Sequence, residues 1–255
     1  MRLMPKDRRE AMFSIYAFNR AIDDIADEGD AGPSERLRQL DGWRNTIDGI
    51  YSGAPSPASL ARVVAQYGLR YEDFLSVIEG VAMDATGASF APDFATLDHY
   101  CDCVASAVGR LSIKIFGMDE EPGFRLAHHL GRALQFTNIL RDLSEDAAIG
   151  RLYLPSEILK DAGIHDREPH RVLSHSMIDA ACRNFALIAH RHYHEADLVL
   201  RSGTRGSLRP PRLMSAVYRR LLRKMERTGW DAPQRRVRVG RAPLLLLALR
   251  YGLSW

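Results

Sequence analysis

The sequence predicts an all-α protein, a single domain of about nine to eleven helices. Three observations predict it. Apolar residues recur at spacings of three and four through most of the 255 residues, as in Ala11, Met12, Ile15, Phe18 and Ile22. No segment alternates polar and apolar residues over strand length, and no glycine-rich phosphate loop precedes a helix. The apolar fraction, 46%, and the charged fraction, 26%, are those of an ordinary globular protein long enough to bury a core.

The first helix is expected from Lys6 to about Glu28. Gly29-Asp-Ala-Gly-Pro-Ser34 reads as a loop, with Ser34 as the N-cap of a second helix running to about Tyr51. Ser52–Pro57 is another loop, in which Ser56 caps and Pro57 opens the next helix. Helices over about 58–67, 70–87 and 95–117 follow. The last of these carries Tyr100 and the small-residue run Val104–Gly109, which admits either close helix packing or a slender apolar ligand. A long helix spans Glu120 to about Asp146 and leaves into a loop, bearing Arg151 and Tyr153, that ends at Pro155. Further helices are expected over about 176–201, 210–228 and 240–252, and repeats and low-complexity tracts are absent.

Two of these helices carry chemistry. Gln135, Asn138, Asp142 and Asp146 follow one another at spacings of three, four and four, which places them along one helix face. Amides and carboxylates make a poor hydrophobic stripe, but a good set of oxygen ligands for a hard cation such as Mg²⁺. On the first helix Tyr16, Arg20, Asp23, Asp24 and Asp27 share a face, with Asp23 and Asp27 one turn apart. Like charges at that spacing repel by a few tenths of a kcal/mol, and the helix macrodipole disfavours anions at a C-terminal turn. A divalent ion between them would turn both penalties into binding energy.

If the two helices face one another across a cavity, their four carboxylates can hold about two or three Mg²⁺ ions that clamp a diphosphate and neutralise it as it leaves. Arg20 and Arg141, one beside each motif, are positioned to add bidentate contacts to phosphate. Loss of diphosphate from an allylic carbon leaves a carbocation, which requires a water-excluding pocket. Tyr16, Tyr100 and Tyr153 are candidates for its polar end.

Other classes fit less well. Cys101, Cys103 and Cys182 make neither a disulfide framework nor a zinc motif, so a reducing, cytoplasmic setting is expected. The N-terminus has no signal-peptide core, and the run Pro243–Leu249 is too short to span a bilayer. His190 and His194 share a face without an evident third ligand, so a solvated face is expected there. The net charge of +3 hides an asymmetry: residues 201–255 carry thirteen Arg and one Lys against Glu226 and Asp231, a balance of +12, and the remainder sums to −9. That basic end is either a solvated face or a contact with something anionic. Its arginines are interleaved with Leu222, Met225 and Trp230, and no nucleic-acid motif is present. Nucleic acid is therefore not expected as a partner, whereas the inner face of an anionic membrane is.

The segments Tyr16-Ala-Phe-Asn-Arg-Ala-Ile-Asp-Asp-Ile-Ala-Asp27, Tyr100-Cys-x-x-Val-Ala-x-x-Val-Gly109, Gln135-x-x-Asn-Ile-Leu-Arg-Asp-x-x-Glu-Asp146 and Gly150-Arg-Leu-Tyr-Leu-Pro155 together resemble the squalene/phytoene synthase family over nearly the whole chain. The resemblance implies an isoprenoid-synthase-type helical bundle around a central cavity, Mg²⁺, and head-to-head condensation of two prenyl diphosphates. Arg2–Phe13 and Asp24–Glu28 are most similar to the bacterial presqualene diphosphate synthases of hopanoid biosynthesis. For those, the implied reaction joins two farnesyl diphosphates and releases one diphosphate, with NADPH not expected for this first half-reaction. By resemblance Asp23, Asp27, Asp142 and Asp146 are metal ligands, joined by Asn138. Arg20, Gln135, Asn138, Arg141 and Arg151 bind substrate, and Tyr16, Tyr100 and Tyr153 serve catalysis, Tyr100 by handling a proton. Phytoene or squalene synthesis, or a non-catalytic helical scaffold, are the alternatives. Asn19 stands where the family usually has Cys, a polar change expected to tune packing beside Arg20. The resemblance implies an upstream half-helix with a Ser-Phe-Tyr segment, which this chain is expected to lack.

Overall fold

A computed structural model of the chain describes residues 4–27, 31–54, 57–86, 90–230 and 237. Over these residues the chain is helical: α1 (Lys6–Asp27), α2 (Pro33–Ser52), α3 (Ala58–Tyr67), α4 (Tyr71–Ala85), α5 (Phe94–Cys101), a π-helical turn (Asp102–Ser106), α6 (Ala107–Phe116), α7 (Glu120–Ala148), α8 (Ser156–Asp161), α9 (Pro169–Leu173), α10 (Ile178–Arg201) and α11 (Arg209–Thr228). The extended pairing among the described residues is an isolated parallel bridge, Phe90 to Leu152. The helix expected over 240–252 and the cap expected at Ser56 lie outside the described residues.

Two local expectations are corrected. Ser34 does not cap α2. Gly32 does so in extended backbone (φ −70°, ψ 166°), because Pro33 already has the helical φ and takes the first helical position. The helix expected over 95–117 is broken at Asp102–Ser106 by the π-helical turn, an insertion that local hydrophobic period does not reveal. The short helices α8 and α9 fall between the loop that ends at Pro155 and the helix expected from 176, a stretch to which the sequence assigns no element.

The chain divides into two compact units. The first holds Met1–Ala88, Tyr100–Gly131 and Gly203–Ser207, and the second Ser89–His99, Arg132–Ser202 and Leu208–Trp255. In the first unit the apolar stripe of α1 buries Ile15, Phe18 and Ile22, with Phe18 edge-on to Phe74 at 5.1 Å and to Trp43 at 5.6 Å. Small residues set the helix spacing. A Cβ at Gly109 would stand 3.0 Å from that of Ala127, and one at Gly131 would stand 2.9 Å from the Ser106 backbone. The small-residue run of this helix thus serves close packing. The half-buried Arg110 donates to the buried Asp73 at 2.5 Å and to Asp102 at 3.2 Å.

In the second unit the later half of α7 packs with α10 and α11. Phe136 meets Phe185 at 5.0 Å, and Thr137 shares a hydrogen bond with the buried Tyr193 hydroxyl at 2.9 Å. Burial pushes that phenol well above its ordinary range. Arg132, also buried, holds Asp98 in a two-pronged pair at 2.6 and 2.9 Å. At the end of α11 the Trp230 indole donates to the Leu140 carbonyl of α7 at 3.0 Å, which ties that helix in place.

Candidate active site

α1 turns two different faces outward and inward. Ile15, Phe18, Ile22 and Ala26 are buried, while Tyr16, Arg20 and Asp23 stand exposed, Tyr16 at 58%. Arg20 reaches one turn forward to Asp24 at 2.8 Å. This is an electrostatic contact rather than an aligned hydrogen bond, since the same buried oxygen of Asp24 has no donor directed at it. The last turn of α1 contains no basic residue, although Asp24 and Asp27 fall in it. Acidic groups at the negative end of a helix cost about 0.3–1 kcal/mol each until a cation compensates them.

Tyr100, in the same unit, is 7% exposed, and its hydroxyl donates to Asp84 Oδ2 on α4 at 3.0 Å. Asp84 is a functional candidate that sequence reading missed. Its only local signal is an acidic side chain near a helix end, sixteen residues before the tyrosine.

α7 repeats the acidic terminus with more support around it. Gln135, Asn138, Asp142 and Asp146 lie on one half-buried strip of the helix. Asn138 donates to Gln135 Oε1 at 3.3 Å, which leaves its own Oδ1 buried with no donor among the described residues. Arg141 forks onto Asp142, with Nε donating to Oδ1 at 2.8 Å and the second prong onto Oδ2. Burial opposes the Arg141 charge, but its pairing with Asp142 outweighs that and raises its pKa above the usual arginine value. In this state the guanidinium is directed to Asp142.

The exit from α7 is sharply defined. Gly150 sits in the left-handed region at φ 77°, and the N–H groups of Gly150 and Arg151 return to the carbonyls of Ala147 and Asp146 at 3.0 and 2.8 Å. This is the paired-bond arrangement that ends helices at glycine. The chain is thereby thrown into a buried run, Leu152, Tyr153 and Leu154. That run is held by Ala91 N–H donating to the Leu152 carbonyl at 2.6 Å and Ser156 N–H donating to the Pro92 carbonyl at 2.9 Å. Tyr153 is 7% exposed.

The three histidines of α10 go to different environments. His190 pairs with Glu226 at 2.7 Å, His192 meets the Phe136 ring edge at 5.6 Å, and His194 is exposed.

Residues 1–242 match the squalene/phytoene synthase family. This chain belongs to that family. Family members similar to it include the presqualene diphosphate synthase of Zymomonas mobilis, 49% identical over 98% of this chain and 86% of that protein. Another is the presqualene diphosphate synthase of Rhodopseudomonas palustris, 45% identical over 99% of this chain and 91% of that protein. The crystal structure of the squalene synthase HpnC from Alicyclobacillus acidocaldarius superposes with a TM-score of 0.80 at 28% identity, over 90% of this chain and 87% of that one. The all-α fold is thus that of squalene synthases within the family.

The oxygen row of α7 fits the divalent cation that family resemblance implies. Its donors are all oxygen, the row ends at the negative pole of the helix with no basic residue in the last turn, and Asn138 Oδ1 is buried without a donor.

Proposed function

We propose that this chain condenses two farnesyl diphosphates to presqualene diphosphate and releases one diphosphate. The observation that carries the reading is the oxygen row of α7, with the unpartnered, buried Oδ1 of Asn138 at its centre. The names of the Zymomonas and Rhodopseudomonas relatives support the substrate assignment. Asp142, Asp146 and Asn138 on α7, and Asp23 and Asp27 on α1, are the proposed Mg²⁺ ligands. When bound there, a divalent ion would supply charge neutralisation for the departing diphosphate.

The chain's own groups have distinct tasks in this reading. Arg141 holds Asp142 in its ligating orientation before substrate arrives, and Arg20, Arg151 and Gln135 bind diphosphate oxygens. Two C15 diphosphates yielding one cyclopropyl C30 diphosphate must lose one diphosphate and one proton. The Tyr100 oxygen takes that proton, and its own hydroxyl proton moves to Asp84 along the 3.0 Å hydrogen bond. Tyr16 and Tyr153 border the reacting carbons. NADPH has no part in this half-reaction. Peripheral contact with an anionic membrane belongs to the same reading, since substrate and product both carry long apolar chains.

The test is incubation of purified protein with farnesyl diphosphate and Mg²⁺, with product analysis in the presence and absence of NADPH. A C30 diphosphate, formed with one equivalent of diphosphate whether or not NADPH is present, is expected. A C30 hydrocarbon formed only with NADPH would reassign the chain to complete squalene synthesis. No diphosphate release under any condition would overturn the enzyme reading.

A further inference from the structure

We propose that the outer face of the α10–α11 pair is a docking surface for an anionic lipid bilayer. The inference deepens the membrane-contact reading above by naming the surface, and it is independent of the diphosphate chemistry. The two helices run antiparallel along a seam of three contacts. Arg212 donates to the Leu200 carbonyl at 2.7 Å, Arg219 pairs with Asp197 at 2.7 Å, and Glu226 pairs with His190 at 2.7 Å. At 100° per residue, a quarter turn to one side of this seam lie the buried residues Phe185, Ala189 and Ala196 of α10 and Leu222 and Met225 of α11. A quarter turn to the other side lie Leu187, Arg191 and Leu198 of α10 and Arg220, Arg223 and Arg227 of α11. All six are exposed, the leucines at 60% and 46%.

Of the four acidic residues of the two helices, Asp197 and Glu226 are in the seam and Asp179 is paired with Arg183 at 2.6 Å. The half-buried Glu195, one turn beyond Arg191, marks the edge of the face. Arg191, Arg220, Arg223 and Arg227 form no ion pair among the described residues. The face therefore presents uncompensated guanidinium groups flanked by two exposed leucines. Arginines at headgroup level with leucines dipping below them is the pattern that favours an anionic bilayer. A surface for single-stranded nucleic acid would add aromatic stacking platforms, and this face has none; a duplex surface would not call for the two exposed leucines.

Cosedimentation of the full chain with vesicles tests the inference. The unmutated protein is expected to pellet with phosphatidylcholine vesicles containing about one-third phosphatidylglycerol, not with phosphatidylcholine alone, and to be released as salt is raised. The triple variant R220Q/R223Q/R227Q should lose about fivefold in partitioning per arginine, roughly a hundredfold in all. L187S/L198S should lose several-fold while keeping its salt dependence. Both variants should retain the unmutated melting temperature and the unmutated farnesyl diphosphate turnover in detergent, which separates this inference from the catalytic one. Equal partitioning onto neutral and anionic vesicles, tighter binding to duplex DNA or RNA at the same salt, or an unchanged triple variant would each overturn it. The lipid and salt dependence of the unmutated chain decides the matter even if a variant fails to fold.

Discussion

The acidic ends of α1 and α7 use the same residue types at the same spacing, yet they are built differently. Both place carboxylates in a last turn that lacks a basic residue. On α1, Asp23 is exposed, and Asp24 has Arg20 as an ion-pair partner from one turn back. On α7 the carboxylates are half-buried. Asp142 is forked by Arg141, Asn138 is fixed by Gln135, Gly150 terminates the helix, and Trp230 is anchored on the Leu140 carbonyl. A preformed set of ligands costs less conformational entropy when it binds than a set that must be ordered on binding. The comparison therefore casts α7 as the prearranged half of the proposed ligand set and α1 as the half completed on binding.

The largest effects should come from the carboxylates themselves. Asp142→Ala and Asp23→Ala are each expected to lower farnesyl diphosphate turnover about a thousandfold, the scale of metal-ion charge stabilisation. If α1 is completed by its ligand, raising Mg²⁺ should recover part of the Asp23→Ala loss and none of the Asp142→Ala loss. Equal recovery would erase the distinction, and unchanged turnover in both would remove the metal assignment. A somewhat smaller effect belongs to the unit that contains α1. Asp84→Asn keeps a partner for Tyr100 but no longer accepts its proton, and about a hundredfold loss in kcat with little change in KM is expected. A parallel rise in KM, or a fall in melting temperature that accounts for the loss, would make Asp84 a packing residue only.

The all-α class and the helices bearing the motifs were legible because amphipathic period and acidic spacing are local properties. What escaped was non-local or too short to carry a period. α8 and α9 have six and five residues, less than two turns each. The π-helical turn at Asp102–Ser106 keeps helical composition while shifting the register. Asp84 is a partner of Tyr100 only once α4 and α5 have folded. Arg141 is adjacent to Asp142 in sequence, and adjacency alone does not tell which partner its guanidinium meets. Neighbouring residues on a helix point about 100° apart, and only the structure shows the long side chain curling back onto its neighbour.

Asn138→Ala tests the prearranged row more gently. The half-saturating Mg²⁺ concentration should rise between about ten- and a hundredfold, the range for residues that tune a metal site. Melting temperature should hardly move. The substitution deletes one hydrogen bond to Gln135 and also one buried acceptor without a donor, two contributions of about 1 kcal/mol each and of opposite sign. A marked loss of stability would show that Asn138 is structural, and the contrast with α1 would then rest on Asp142 alone.

The smallest expected effect concerns how firmly the segment leaving α7 is held. Glu157, just beyond that segment, accepts the Phe94 N–H on both carboxylate oxygens at 3.0 Å. This backbone hydrogen bond is the main reason its carboxyl lies below the usual glutamate pKa. A depressed acid stabilises the fold fully above the ordinary glutamate range, and the contribution is lost as pH falls through the folded-state pKa. Glu157→Gln should therefore cost less than about 1 kcal/mol at neutral pH, because the site is exposed and screened. In melting temperature that is a drop of about 1–3 °C. The gap between the two proteins should close as pH is lowered past the glutamate range, since the protonated carboxyl and the amide are then alike in charge. A gap that persists or widens in acid would mean that the Phe94 contact is not what Glu157 contributes. The anchoring of Tyr153 would then have to come from the Ala91–Leu152 and Pro92–Ser156 hydrogen bonds instead.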